Sequence, residues 1–180
     1  MEMCASVSDL AAVVKLAIFD VDGVLTDGGL ILGPNGQEFK NFHVRDGLGL
    51  VMLRSTGVEL AIITGRESTV VTERMAALGI EHVLQGQSDK EQALDKLLDD
   101  LNVDASTVCY VGDDLPDLPV MMRVGLSVAV ADAHSELIKH AAWKTKAKGG
   151  AGAVREVCEM ILAAQGNLGS AIENFGFQMQ

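Results

Sequence analysis

Leu16-Ala17-Ile18-Phe19-Asp20-Val21-Asp22-Gly23-Val24-Leu25-Thr26-Asp27 is an apolar run that stops abruptly at a carboxylate and turns at a glycine. Unbroken apolar residues without polar alternation suit a strand buried on both faces of a parallel sheet. The same form recurs along the chain. Val58 to Ile63 runs into Thr64-Gly65-Arg66, His82-Val83-Leu84 into Gln85-Gly86, Val108 to Val111 into Gly112-Asp113-Asp114, and Leu126 to Ala131 into Asp132. Between these runs lie helical patterns over 46–56, 68–79, 89–101, 117–124, 134–141 and 151–165. Strands alternating with helices of this length predict βαβ units with right-handed crossovers and an α/β, doubly wound, mostly parallel, Rossmann-like sheet. The helix expected from residue 89 has a start signal in Ser88-Asp89-Lys90-Glu91: Ser88 as cap, Glu91 reaching back, Lys90 in the first turn.

One segment breaks the alternation. In Gly28 to Phe42, Leu30-Ile31-Leu32 and Glu38-Phe39-Lys40-Asn41-Phe42 flank Gly33-Pro34-Asn35-Gly36, a hairpin signal. A hairpin flap over 28–42, directly after the first strand, overhangs the carboxyl ends of the strands, where an open α/β sheet binds ligands. The chain reads as one domain over 1–180 with a mobile tail over 166–180, in which Phe175-Gly176-Phe177 offers a second closure.

Composition agrees with this class. A 180-residue chain that is 48% hydrophobic can bury a core, and nineteen glycines against one Trp, one Tyr and five Phe favour aliphatic strands and many turns. A net charge of −11 argues against nucleic acid or anionic lipid as partners. Cys4, Cys109 and Cys158 lack the spacing of a zinc or redox motif and read as reduced thiols. The apolar stretch from Leu10 to Phe19 is broken by Lys15, is too short for a bilayer and lacks the features of a signal peptide, so a cytoplasmic location is expected.

The chemistry sits at the strand ends. Asp20 and Asp22 can divide nucleophilic and proton-transfer work, while Gly23 turns the backbone away. Asp113, Asp114 and Asp117 supply hard oxygen ligands of the kind Mg²⁺ takes, Asp113 foremost. The Thr64 hydroxyl and neighbouring amides suit phosphoryl oxygens, and Lys90 suits the charge that develops during transfer.

In this order, Asp20-x-Asp22-Gly23, Thr64-Gly65-Arg66, Lys90 and Gly112-Asp113-Asp114-x-x-Asp117 resemble the haloacid dehalogenase-type phosphatases. The resemblance implies an aspartyl-phosphate on Asp20 and a general acid and base in Asp22. It implies Mg²⁺ held by Asp20, the Asp22 carbonyl and Asp113, with Asp114 and Asp117 behind them, and Thr64 and Lys90 on the phosphoryl group. The interval from Asp20 to Thr64 has room for the hairpin and one helix but for no cap domain.

That capless pattern is joined by Gly36 to Lys40, His43-Val44-Arg45-Asp46-Gly47, Gln85-Gly86-Gln87 and Gly149 to Glu156. Together they are similar to the capless family that removes phosphate from 3-deoxy-D-manno-octulosonate 8-phosphate in lipopolysaccharide sugar biosynthesis. It implies a sugar-acid phosphate substrate, a homotetramer, and a substrate loop of His43, Val44, Arg45, Asp46 and Gly47 with Asp22, Gly65, Arg66, Arg74 and Lys90 nearby. The chain departs from the family at Val51 and Ala151, where a basic residue often stands, and Arg54 is the candidate substitute for the first. Arg45 suits a sugar carboxylate or, alternatively, pairs with Asp46 or Glu38; His43 binds a hydroxyl or packs in the loop.

Three other readings compete. A receiver-type signalling domain shares the residue types but places its acidic pair before the phosphoacceptor, opposite to the order here. A non-catalytic assembly module fits the fold, but the complete motif set counts against it. The same chemistry on another sugar-acid phosphate, such as a nine-carbon sialic-acid-type 9-phosphate, stays open.

Overall fold

A computed structural model describes residues 5–175. Strand β1 is Leu16–Phe19, every residue of it buried, as an unbroken apolar run demands. Parallel neighbours pair on both sides of it. Strands β4 (Glu59–Ile63), β5 (His82–Leu84), β6 (Val108–Gly112), β7 (Leu126–Ala129) and β8 (Trp143–Lys144) complete a six-stranded sheet in the order β5-β4-β1-β6-β7-β8. Every pairing in it is parallel. From β1 the chain winds outward to β4 and β5, then returns to β6 on the other side of β1. The order therefore reverses between β1 and β6, and a crevice opens at their carboxyl ends.

Helices cover both faces. Helix α2 (Val44–Arg54) packs on α3 (Thr69–Leu78) and on α7 (Ala153–Ala164), which also contacts α1 (Val7–Ala12) and α8 (Leu168–Glu173). Helix α5 (Leu118–Met121) packs between α4 (Lys90–Leu101) and α6 (Ser135–His140). Phe19, Leu16, Ile18, Leu50, Leu53, Ile62, Ile63 and Leu94 are fully buried between these layers. Truncating a residue such as Phe19 to Ala would cost about 3–5 kcal/mol.

The hairpin forms as expected. Strands β2 (Ile31–Leu32) and β3 (Glu38–Phe39) pair antiparallel around a turn over Pro34–Gly36, in which Asn35 and Gly36 take positive φ. Leu30, Ile31, Leu32 and Phe39 are each more than half exposed, whereas Phe42 packs against the core.

Several boundaries move for local reasons. The cap of α4 is Asp89, whose carboxylate accepts from the Glu91 and Gln92 amides; Ser88 precedes it. The helix expected over 117–124 is a 3₁₀ turn over Leu115–Asp117 that runs into the short α5. The strand expected to reach Ala131 stops at Ala129. Helix α1 and strand β8 carried no periodic signal: α1 is six residues held by a Ser6–Asp9 capping box, and β8 is a two-residue edge. The stretch from residue 166, read as a mobile tail, holds α8 with Ala171 buried. Phe177 and Cys4 lie outside the described residues. Among the described residues no helix is long and apolar enough to cross a membrane.

Candidate active site

Asp20 leaves β1 at the point where the strand order reverses, and its backbone still belongs to the sheet through a bond from its amide to Val111 O. Its carboxylate is held from two sides: Oδ1 accepts the Val21 amide at 2.7 Å, and Oδ2 lies 3.1 Å from Lys90 Nζ. The chain then turns through Gly23, which has φ +95° and lies so close to β6 that a Cβ there would stand 2.0 Å from Asp113 Oδ2. Only glycine serves both needs. Thr26 closes the turn, its buried Oγ1 donating to Val21 O and accepting from the Gly28 amide. The loop over 145–152 packs on top, with the Gly150 amide bonded to Val24 O.

From β6 come Asp113 and, one turn later, Asp117. Asp117 is buried and fully engaged: it accepts from Lys90 Nζ and Tyr110 Oη at 2.7 Å each, and from the Asp113 and Asp114 amides. Asp114 caps the following 3₁₀ turn through the Leu115 amide. Oxygens of Asp20, Asp113 and Asp117 come within 4.8 Å of one another. Burial, with the charges of Asp117, Asp20 and Asp114, pushes Asp113 up to about 8; burial and Asp117 push Asp20 up to about 6, against the pull of Lys90. Burial alone would lower Lys90, but Asp20 and Asp117 outweigh it and its pKa is raised. Three carboxylates against one ammonium is an uncompensated arrangement that a hard divalent cation fits, with Asp20 and Asp113 free to face it and Asp117 holding the loop behind.

This electrostatics has a measurable consequence. Between the ordinary carboxylate value of 3.8 and about 8 the folded chain binds more protons at Asp20 and Asp113 than the unfolded chain. Stability of the metal-free protein therefore falls as pH rises through that window. Chelator-treated protein is expected to melt lower at about pH 8 than at about pH 6, and millimolar Mg²⁺ to raise the melting temperature more at the higher pH. Asp113→Asn should flatten both dependences. A larger Mg²⁺ shift at the lower pH would contradict the assignment.

The cleft over these carboxylates encloses about 430 Å³ and is lined by Asp20, Asp22, Thr64, Lys90, Asp113 and Asp114 among others. Thr64, buried after β4, is positioned by its amide on Leu84 O and its carbonyl on the Gln87 amide. Gly65 and Arg66 line the same wall. The structure thus gathers the four motifs read from the sequence into one cleft.

The expected substrate loop is not gathered there. His43 is the residue before α2, and Val44, Arg45, Asp46 and Gly47 form that helix's first turn rather than a loop. None of the five lines the cleft. Asp46 is buried and caps α7, accepting from the Gly152 amide and from the Arg155 amide at 2.7 Å. Gly47 makes room for Arg74, whose guanidinium lies over the Phe42 ring 5.9 Å from its centre. His43 places Nδ1 3.9 Å from Asp46 Oδ2. Val44 and Arg45 are exposed. Neither suggested partner pairs with Arg45, since Glu38 faces Lys40 and Arg66 while Asp46 faces α7. Arg54 packs against Gly79 at the amino-end side of the sheet, far from the strand ends that carry the cleft, so it does not replace a basic residue at Val51.

Three residues are given no role by the sequence, although two of them, Gln87 and Lys40, stand in stretches that carry the family resemblance. Tyr110 faces Asp117 from inside β6, where alternation with Cys109 and Val111 hides its direction. Gln87 lines the cleft from the turn after β5. Lys40, in the flap, reaches Asp22. A signal for Lys40 was present in its place beside Glu38 in a hairpin that immediately follows the acidic pair.

Comparison with known proteins agrees with this geometry. Residues 77–157 match the model of the haloacid dehalogenase-like hydrolase family. Over 167 residues, 93% of this chain and 89% of the relative, the sequence is 53% identical to 3-deoxy-D-manno-octulosonate 8-phosphate phosphatase of Escherichia coli. The crystal structure of that enzyme from Yersinia pestis superposes with a TM-score of 0.89 at 51% identity, covering 90% of this chain and 88% of that one. The enzyme from Moraxella catarrhalis, solved in complex with a magnesium ion, a phosphate ion and a KDO molecule, superposes with a TM-score of 0.92 at 44% identity, over 94% and 97% of the two chains. The chain belongs to the 3-deoxy-D-manno-octulosonate 8-phosphate phosphatase family of haloacid dehalogenase-like hydrolases.

Proposed function

We propose that this protein is a Mg²⁺-dependent phosphomonoesterase that hydrolyses 3-deoxy-D-manno-octulosonate 8-phosphate, a step in lipopolysaccharide sugar biosynthesis. The observation that carries the reading is Asp20, whose carboxylate is oriented by the Val21 amide and Lys90 at the β1/β6 switch point, beside Asp113 and Asp22. Asp20, Asp113 and the Asp22 carbonyl would hold Mg²⁺, which would supply charge neutralisation for the phosphoryl oxygens and the crowded carboxylates. An Asp20 carboxylate oxygen attacks phosphorus through a remaining lone pair while the bond from phosphorus to the sugar oxygen breaks. Asp22 gives that oxygen its proton. Water then attacks the aspartyl-phosphate, Asp22 takes the water's proton, and phosphate leaves with the Asp20 carboxylate restored. Thr64, the neighbouring amides and Lys90 hold the phosphoryl group in line.

Names of the relatives support the eight-carbon substrate over the nine-carbon one, and phosphate release from a panel of sugar-acid phosphates, with and without chelator, tests it. Preference for a nine-carbon ester would replace the substrate and keep the chemistry. The reading extends to a homotetramer in the cytoplasm, supported by the exposed apolar flap and by the absence, among the described residues, of a membrane-crossing helix.

His43, Arg45, Arg74 and the first turn of α2 act, in this reading, on the sugar end of the substrate, with Arg45 presented across a subunit boundary. Arg45→Ala is expected to raise KM for the sugar-acid phosphate about 10-fold, the worth of one charge-assisted contact, and to leave an aryl phosphate unchanged. Equal losses on both esters would remove Arg45 from this role.

A further inference from the structure

Lys40 follows β3 in the flap, yet its side chain is only 2% exposed. An ammonium withdrawn from water to that degree needs charged partners. Its Nζ bonds Asp22 Oδ1, and Glu38 Oε1 stands 3.4 Å away. From the opposite side, Arg66 places Nε 3.8 Å from Asp22 Oδ2 and donates through Nη2 to Glu38 Oε1 at 3.3 Å. Two cations and two carboxylates close a ring joining three separate pieces of chain: the loop after β1, the flap, and the turn after β4. The flap hydrogen-bonds Asp22 Oδ1, whereas Oδ2 has the Arg66 charge 3.8 Å away and no hydrogen bond to it, which leaves Oδ2 as the oxygen that can carry the proton. Lys40 does not line the cleft where the phosphate ester sits, whereas Asp22 and Arg66 do.

We propose that Lys40 is the positioning residue for Asp22, tying the carboxylate that serves the leaving oxygen to the flap, so that proton delivery depends on where the flap sits. This rests on the reading of Asp22 as general acid. The step concerned is cleavage of the phosphorus–oxygen bond of the ester, with the electron pair going to the sugar oxygen and the proton coming from Asp22. A sugar alkoxide is a strong base and leaves poorly without that proton. A dinitrophenolate leaves well without it. In the first step, release of the alcohol, a group that positions the acid therefore matters for the sugar ester and hardly for the aryl ester, whereas a group that merely supports the fold or binds phosphate affects both alike. Hydrolysis of the aspartyl-phosphate, in which Asp22 acts as base, is common to both esters and drops out when only the first turnover is read.

The test is Lys40→Met in single turnovers with enzyme in excess, reading release of the sugar from 3-deoxy-D-manno-octulosonate 8-phosphate and of the phenol from dinitrophenyl phosphate in the same preparation, so that the ratio of the two is independent of the folded fraction and of the later hydrolysis of the aspartyl-phosphate. The expected result is a fall of about 10²-fold in the saturating first-turnover rate constant for the sugar ester, at the low end of what general acid catalysis contributes, with KM nearly constant and the aryl first-turnover rate constant within about threefold of wild type. Lys40→Arg should recover part of the sugar-ester rate, and Lys40→Met should add little to Asp22→Asn, because both act through one carboxylate. Equal losses on the two esters, a loss confined to KM, inactivity on both, or additivity with Asp22→Asn would overturn the proposal. Failure of the underlying reading looks different: Asp22→Asn itself would then not discriminate between the esters.

Discussion

Asp20→Asn is expected to lower phosphate release by about 10⁴-fold or more on every ester, sugar or aryl, while leaving the fold intact. The amide matches the carboxylate in size and can still accept the Val21 N–H, so the loop after β1 keeps its geometry. On the proposed mechanism the substitution removes the nucleophile and one negative ligand for the cation. Burial and Asp117 already raise Asp20 to about 6, which means that the ionised form is costly in the metal-free fold near neutrality. Removing that charge should leave the metal-free melting temperature unchanged or higher, and the contrast between dead chemistry and undiminished stability separates a nucleophile from a structural aspartate. Circular dichroism melts beside a phosphate-release assay check both halves. Activity close to wild type would exclude covalent catalysis at this residue.

Replacing residues 31–41 by a short Gly-Ser turn is expected to give smaller particles and to lower kcat/KM for the sugar-acid phosphate by about 10²- to 10³-fold, because remote contacts position a small ester in an open site. The excision removes Ile31, Leu32 and Phe39, which stand more than half exposed, as does Val44 at the start of α2. A two-stranded hairpin is marginal in water, and each such side chain gains about 1.5–3 kcal/mol when fully buried, so a second copy of the chain is the natural cover. The same excision removes Lys40 and Glu38, and with them the grip on Asp22. Asp20, Asp113 and Asp117 lie outside it, so Mg²⁺ should still raise the melting temperature. Sedimentation and kinetics read the two effects separately, and a monomer with full activity would contradict both.

The motifs that converge on the cleft were legible because each is local: a buried apolar strand announces itself by composition, and the first residues after it necessarily lie at the sheet's carboxyl edge. Asp20, Thr64, Lys90 and Asp113 come from four different strand ends or the helix start beyond one, and the topology alone converges them. Roles that depend on distant packing were not legible. Asp46 reads as a substrate residue until α7, 109 positions later, supplies the amide it caps. Arg54 is one helical turn from Val51, but it sits at the end of α2 that runs away from the cleft, so nearness in sequence misleads. A lysine in a hairpin is by default a surface residue, and only the fold of the flap over the loop after β1 shows Lys40 to be buried against Asp22.

Transfer of the phosphoryl group to Asp20 is the central proposed step, and the Asp22→Asn variant tests it most directly, since it weakens the release of water's proton and so slows breakdown of the intermediate. Brief incubation of that variant with dinitrophenyl phosphate and Mg²⁺, acid quenching and peptide mass mapping should find one phosphoryl group on the peptide that contains Asp20, absent when Asp20 is also Asn. Rapid turnover with no phosphorylated protein at any time point, or a phosphoryl group mapped to another residue, would contradict it.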